Sequence, residues 1–154
     1  MTQPDAEMAP DFTLPVTGGD EVTLSALRPA PVVLFFYPRD DTSGCTVENQ
    51  DFSALLAEFE AAGVKVFGIS KDSLASHDKF MAKKALTVPL LSDEASQVCE
   101  DYGVWTEKKM YGKTFMGIER STFLVDGEGR IAKAWRKVKV PGHAAEVLDA
   151  ARAL

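Results

Sequence analysis

The chain has 154 residues, 45% of them hydrophobic and 26% charged, with a formal net charge of −6. That length and balance fit one soluble globular domain spanning residues 1–154, with enough apolar content for a real core. The negative charge argues against non-specific binding to nucleic acid or to an anionic membrane, both of which need a basic face.

No apolar run approaches the length of a membrane span. The start, Met1-Thr2-Gln3-Pro4-Asp5-Ala6-Glu7, is polar and acidic and lacks the basic and apolar segments of a signal peptide. The expected compartment is therefore the cytoplasm. Two cysteines do not make a disulfide scaffold. With only His77 and His143 in the chain, no metal cluster is expected, and the sequence calls for no cofactor.

In chain order, residues 11–14 and 21–24 read as short extended pieces split by Gly18-Gly19. Residues 32–37, Val-Val-Leu-Phe-Phe-Tyr, are apolar on both faces, as in a central strand covered on both sides. A helix is expected over 45–62, with Phe52, Leu55, Leu56 and Phe59 on one stripe and Gly63 as its stop. Residues 64–70 read as a strand, so strand, helix and strand imply a right-handed parallel crossover. A second helix starts at Asp72 or Ser73 and runs to about 84. Residues 89–91 are a short extended piece. Asp93 is placed to cap a short helix carrying Ala95, Val98, Cys99 and Tyr102 on one face.

The basic clusters Lys108-Lys109 with Lys113, and Arg136-Lys137 with Lys139, read as solvated loop or edge charge. Residues 121–125 and 130–135 form a hairpin around Asp126-Gly127-Glu128-Gly129, whose length suits a turn rather than a calcium loop. A last helix from about His143 places Ala144, Val147, Leu148 and Ala151 on one stripe. The fold class is α/β, with a central mixed sheet flanked by helices.

Cys45 ends the segment Pro38-Arg39-Asp40-Asp41-Thr42-Ser43-Gly44-Cys45, between the strand over 32–37 and the helix that follows. Backbone N–H groups converge at such a turn and favour a thiolate. Ionisation alone is a modest gain. Moving a thiol from ~8.5 to ~6 raises its neutral-pH thiolate roughly 30-fold, or ~2 kcal/mol, whereas enzymes commonly gain ~8 kcal/mol or more. Positioned donors must supply the rest. Asp40 and Asp41 read as solvated loop, because no third metal ligand has suitable spacing.

The Pro38, Thr42 and Cys45 spacing resembles the signature of the peroxiredoxins, and the resemblance covers nearly the whole chain. Phe36-Tyr37-Pro38-Arg39-Asp40-Asp41-Thr42-Ser43-Gly44-Cys45-Thr46, Leu90-Leu91-Ser92-Asp93 and Tyr102-Gly103-Val104-Trp105 narrow it to the PrxQ, or bacterioferritin comigratory protein, subfamily. Ser43 departs from the usual proline. The resemblance implies a thioredoxin-like fold and a peroxide-reducing thiol at Cys45. It implies that Pro38 shields the sulfur, that the Thr42 hydroxyl orients the peroxide, and that Arg120 contacts both sulfur and peroxide. Gly44 and Cys45 N–H groups complete the peroxide-binding set. Thr42 taken alone would be a helix cap, and both roles are open to it.

Many members carry a resolving cysteine five positions on, which is Gln50 here, or on the next helix, where the slot is Met81. Cys99 is the only other thiol and reads as a buried structural one, with an unconventional resolving role as the alternative. The expected activity is reduction of hydrogen peroxide and organic hydroperoxides through a Cys45 sulfenic acid. The expected reductant is an external thiol such as thioredoxin, glutaredoxin or glutathione, and the expected state a monomer or weak dimer. A redox-sensing module using the same thiol is the rival from another class. A thioredoxin-type disulfide reductase is disfavoured by the absent Cys-x-x-Cys.

Overall fold

The computed structural model describes residues 7–154, so the polar start over 1–6 lies outside the described residues. In chain order it has β1 (Thr13–Pro15), β2 (Glu21–Thr23), a 3-10 turn (Leu24–Leu27), β3 (Val32–Phe36) and α1 (Ser43–Ala61). Then follow β4 (Lys65–Ser70), α2 (Leu74–Lys84), β5 (Leu90–Ser92), α3 (Val98–Asp101), β6 (Trp105–Met110) and β7 (Lys113–Ile118). The chain ends with β8 (Ser121–Val125), β9 (Ile131–Trp135) and α4 (His143–Arg152).

The main sheet has five strands in the order β5-β4-β3-β8-β9. β3, β4 and β5 are parallel, β8 is antiparallel to β3, and β9 is antiparallel to β8, so the sheet is mixed. This is the thioredoxin-like arrangement implied by the resemblance. Every residue of β3 is buried, because both faces of the sheet are covered. Strand alternation divides the core into two halves. Val33, Phe35 and Tyr37 face one half, together with Cys45, Phe52 and Phe59 of α1. Val32, Leu34 and Phe36 face the other, together with Cys99 and Tyr102.

Helix ends follow their local chemistry. Gly63, at φ 76°, ends α1 in the left-handed region that glycine adopts without strain. The Ser73 hydroxyl caps α2 by accepting from Ser76 N–H at 3.1 Å. Asp93 does bond the start of α3, accepting from Val98 N–H at 3.1 Å and Cys99 N–H at 2.8 Å. That helix is shorter than the stripe suggested, however. Ala95 lies in an exposed turn before it, since Asp93 reaches over the intervening residues to cap Val98 directly.

A hairpin, β6–β7, stands where the sequence offered only solvated charge. Lys109 and Lys113 are exposed as expected, but Lys108 is half-buried. Tyr111 and Gly112 join the strands with φ of 52° and 76°, the two positive values that a tight two-residue hairpin turn requires. The hairpin projects beside the C-terminal end of β3, next to the loop that carries Cys45, and its β7 leads into Arg120.

Phe52 anchors α1 to the sheet: it is fully buried and stacks on Phe35 with ring centroids 4.3 Å apart. Phe52→Ala should cost about 3–5 kcal/mol of stability. Urea unfolding would read this as a lower midpoint at unchanged slope, and an unshifted midpoint would contradict the packing described.

Candidate active site

β3 ends at Phe36, and the loop over 37–42 turns the chain into α1. The first intrahelical bond runs from Thr46 N–H to Thr42 O at 2.8 Å. The amides of Ser43, Gly44 and Cys45 therefore precede the ladder and point out of the helix start. Cys45 lies in this first turn and is only 1% exposed. The Asn49 side chain donates to Cys45 O at 2.9 Å, tying the turn to the next one.

The loop is held from both sides by its two aspartates. Asp41, at φ 59°, faces outward and accepts from Lys83 at 2.7 Å. Asp40 turns inward and is buried, contrary to the solvated reading of this loop. Its carboxylate accepts from Tyr37 OH at 2.6 Å and Ser76 OH at 2.7 Å, and lies 2.8 Å from His77 Nδ1. Burial pushes the Asp40 carboxyl up, but these hydrogen bonds and the His77 charge outweigh it, so the carboxyl is held below its ordinary value. His77 is fully buried, and its Nε2 lies 3.0 Å from Leu91 O.

Asp40, Asp72 and His77 thus bring three ligand-type atoms within 4.8 Å of one another, a third partner that linear spacing did not reveal. Each is already engaged within the protein, Asp72 by Asp40 N–H at 2.9 Å and Ser70 OH at 2.6 Å. The cluster binds the loop to α2 and β5.

Arg120 is brought to the thiol from the far side of β3, immediately before β8. Its Nη2 donates to Cys45 Sγ at 3.2 Å, and its Nη1 donates to Glu48 Oε1 at 2.5 Å. Gly44 permits this approach, since a Cβ there would lie 3.2 Å from Arg120 Nη2. Glu48 is one helical turn beyond Cys45 on the same face, and is 1% exposed. Sequence reasoning missed Glu48, although a carboxylate three residues after the thiol, near a helix start, was the available signal.

Thr42 is exposed and occupies the position before α1, but its side chain makes no capping bond to the helix. The hydroxyl instead donates to Arg39 O at 3.1 Å, so its oxygen retains the capacity to accept. Pro38 is half-buried and lines a groove between this loop and the β6–β7 hairpin. The structure therefore gathers Pro38, Thr42, Gly44, Cys45 and Arg120 around one turn. Cys99 is not among them: it is fully buried in the other half of the core. Burial, with Asp93 beside it, pushes the Cys99 thiol well above its ordinary value. Gln50 is exposed on α1, and Met81 packs against the core half that contains Cys45.

Burial raises the Glu48 carboxyl from 4.5 to about 7, with Arg120 opposing the rise only in part. The folded chain therefore binds one more proton than the unfolded chain between those values. Stability should fall as pH rises through that window and level off above it. Glu48→Gln, which carries no such proton, should gain stability relative to the unsubstituted chain as pH rises across the window. Urea unfolding at steps of pH would measure this, and parallel pH curves for the two chains would contradict it.

The AhpC/TSA family profile matches residues 6–134. Peroxiredoxin Bcp of Xanthomonas campestris pv. campestris is 51% identical over 143 residues, covering 93% of this chain and 89% of that protein. A solved structure of Xanthomonas campestris peroxiredoxin Q superposes with a TM-score of 0.87 at 51% identity, covering 92% of this chain and 90% of that one. A structure of the bacterioferritin comigratory protein of the same organism, described in connection with its alkyl peroxide reduction activity, also superposes at 0.87, with 50% identity and the same coverage. With a thiol at a helix start, an arginine on its sulfur and relatives of this similarity, the chain belongs to the AhpC/TSA family as a peroxiredoxin of the Bcp/PrxQ type, a group of thiol-dependent peroxidases.

Proposed function

We propose that this protein reduces hydrogen peroxide and organic hydroperoxides with Cys45 as the attacking thiol and an external thiol as the resolving partner. The observation that carries this reading is the Arg120 contact on Cys45 Sγ at 3.2 Å, with Glu48 fixing the guanidinium from the other side. A permanently charged, planar donor beside the sulfur is both its counter-ion and a donor to an incoming peroxide oxygen. The outward amides of the first turn and the Thr42 oxygen supply further contacts. In this reading the Thr42 oxygen accepts the peroxide O–H, while Arg120 and the amides donate. The alkyl peroxide activity described for the Xanthomonas relative supports the substrate class.

The Cys45 thiolate attacks the terminal oxygen of the peroxide, the S–O bond forms as the O–O bond breaks, and an alcohol or water leaves once protonated. Cys45 is then a sulfenic acid. A thiol from thioredoxin, glutaredoxin or glutathione attacks that sulfur and water leaves. A second thiol releases Cys45 and carries away the disulfide. The external route is favoured because Cys45 and Cys99 belong to opposite halves of the core. A disulfide needs the two Cα atoms within about 7 Å. Two buried, unpaired thiols also fit work in the reducing cytoplasm, as a monomer or weak dimer.

Cys45→Ser should abolish peroxide consumption while leaving the circular dichroism and melting behaviour intact, because a serine hydroxyl is not ionised at neutral pH. Cys99→Ser should keep most of its turnover with thioredoxin or with glutathione and glutaredoxin. Substantial turnover by Cys45→Ser would remove Cys45 as nucleophile. Collapse of Cys99→Ser, with a Cys45–Cys99 disulfide in the peroxide-treated protein, would make the enzyme a two-cysteine one. A single equivalent of peroxide consumed with no steady turnover on any thiol would instead favour a redox relay.

Arg120→Ala should slow the peroxide step by well over tenfold, since a donor of this type contributes about 2.7–4 kcal/mol at a comparable oxyanion site. Single-turnover oxidation of Cys45 is the measurement, and an unchanged rate would refute the role given to Arg120.

A further inference from the structure

Of the three lysines on the β6–β7 hairpin, Lys108 is the one withdrawn from water. Its stem lies along Gly117: a Cβ at that position would come 3.2 Å from Lys108 Cδ and 3.4 Å from Cε. The absent side chain at 117 is what lets the lysine fold back against the hairpin rather than extend into solvent. From there Lys108 lines a groove of about 340 Å³ together with Pro38 and Arg39 of the thiol loop and Trp105, Phe115 and Met116 of the hairpin.

Among the described residues, Lys108 has no hydrogen-bond or ion-pair partner. Burial and the like charge of Arg120 hold its ammonium below the ordinary value, with Cys45 and Glu119 opposing in part. A half-buried cation next to another cation, with no carboxylate bonded to it, is unfavourable in the resting protein. It becomes favourable when negative charge develops nearby, and the proposed reaction develops it on the oxygen that leaves.

We propose that Lys108 is the general acid that protonates the leaving oxygen when Cys45 cleaves a hydroperoxide, an inference that rests on the thiol-peroxidase reading above. The Cys45 thiolate attacks the terminal oxygen of R–O–O–H, and its electron pair becomes the S–O bond. The O–O electrons leave with R–O⁻, which takes a proton from the Lys108 ammonium to give R–OH. The neutral amine regains a proton from water. Sulfur is oxidised by two electrons and the peroxide is reduced by two.

Among the charged groups of the groove the task falls to Lys108; Glu48, whose carboxyl burial raises to about 7, is bound to Arg120 and does not line the groove. Arg120 and Arg39 are guanidinium groups, which do not release a proton in proteins. Lys71, on the far wall of the groove, is engaged by Asp93 at 3.2 Å and Glu100 at 2.8 Å. Asp72, also on the groove, accepts hydrogen bonds from Asp40 N–H and Ser70 OH. Glu119 acts on the ammonium only as a neighbouring negative charge.

The test compares leaving groups in single-turnover oxidation of Cys45, read by rapid alkylation and peptide mass. Lys108→Met keeps the apolar stem on Gly117, and Lys108→Gln serves as a second variant, with melting curves for both. Each should oxidise about a hundredfold more slowly than the unsubstituted protein with tert-butyl hydroperoxide, whose alkoxide needs a proton to leave. Each should be unchanged with peracetic acid, whose acetate leaves without one. Lys108→Arg should be as slow as Lys108→Met with the alkyl hydroperoxide, because it keeps the charge but not the transferable proton. Equal slowing with both oxidants, no slowing with either, or full recovery in Lys108→Arg would each overturn the proposal. Failure of the unsubstituted protein to react with either oxidant would overturn the thiol-peroxidase reading itself, and the role of Lys108 with it.

Discussion

The site depends on one buried carboxylate. Glu48 has one oxygen on the Arg120 guanidinium, while its other oxygen has no hydrogen-bond partner among the described residues. An unsatisfied buried acceptor costs about 1–3 kcal/mol, and more when it is charged. A free arginine carries about 2 kcal/mol of rotamer entropy, which in the proposed reaction would otherwise be lost as the peroxide is engaged. With Glu48 in place, that ordering is completed on folding, and the second guanidinium nitrogen is left 3.2 Å from the sulfur. The unfavourable burial of Glu48 is the cost of an arginine that does not need to search.

That arrangement requires the start of α1 to be fixed, because Cys45 and Glu48 share its first two turns. The loop before it is fixed by opposite uses of consecutive aspartates. Asp41 reaches out to the end of α2 through Lys83, and Asp40 reaches in to Tyr37, Ser76 and His77. His77 passes the connection on to Leu91 O in β5. Both of its ring nitrogens face acceptors, a carboxylate and a carbonyl, so the ring is locked in orientation. The loop is thereby tied to an edge strand and to a neighbouring helix. The polar atoms that hold it are removed from water, where such bonds are stronger.

The readable parts of this chain are those decided locally. The apolar run over 32–37, the stripe on α1, the stop at Gly63 and the start of α2 near Asp72 or Ser73 each follow from residues a few positions apart, and each is found at or within two residues of its expected bounds. The thiol, threonine and proline were legible for the same reason, since one short segment carries them all. The hairpin was not legible, because Trp-Thr-Glu-Lys-Lys-Met does not alternate cleanly and Tyr111-Gly112 is not among the commonest hairpin turns. Nor were the inward turn of Asp40, its partner His77 and the bond from Glu48 to Arg120. These join positions 37 and 72 residues apart, and only the sheet order brings them together. The burial of Lys108 belongs to the same class, for it depends on a glycine on the opposite strand.

The two cysteines show how one strand can separate two chemistries. β3 turns alternate residues to alternate faces, and Cys45 packs with one set while Cys99 packs with the other. Position is not the only barrier between them. Asp93 accepts from the backbone of Val98 and Cys99 and so builds the start of α3. The same carboxylate adds to the burial that keeps the Cys99 thiol protonated. A protonated thiol is a poor nucleophile toward a sulfenic sulfur. The group that caps this helix therefore also disarms its thiol, while the arginine on the other face donates a hydrogen bond to Cys45. In the proposed reaction both facts, the sheet between the sulfurs and the carboxylate beside the second one, favour resolution from outside the chain.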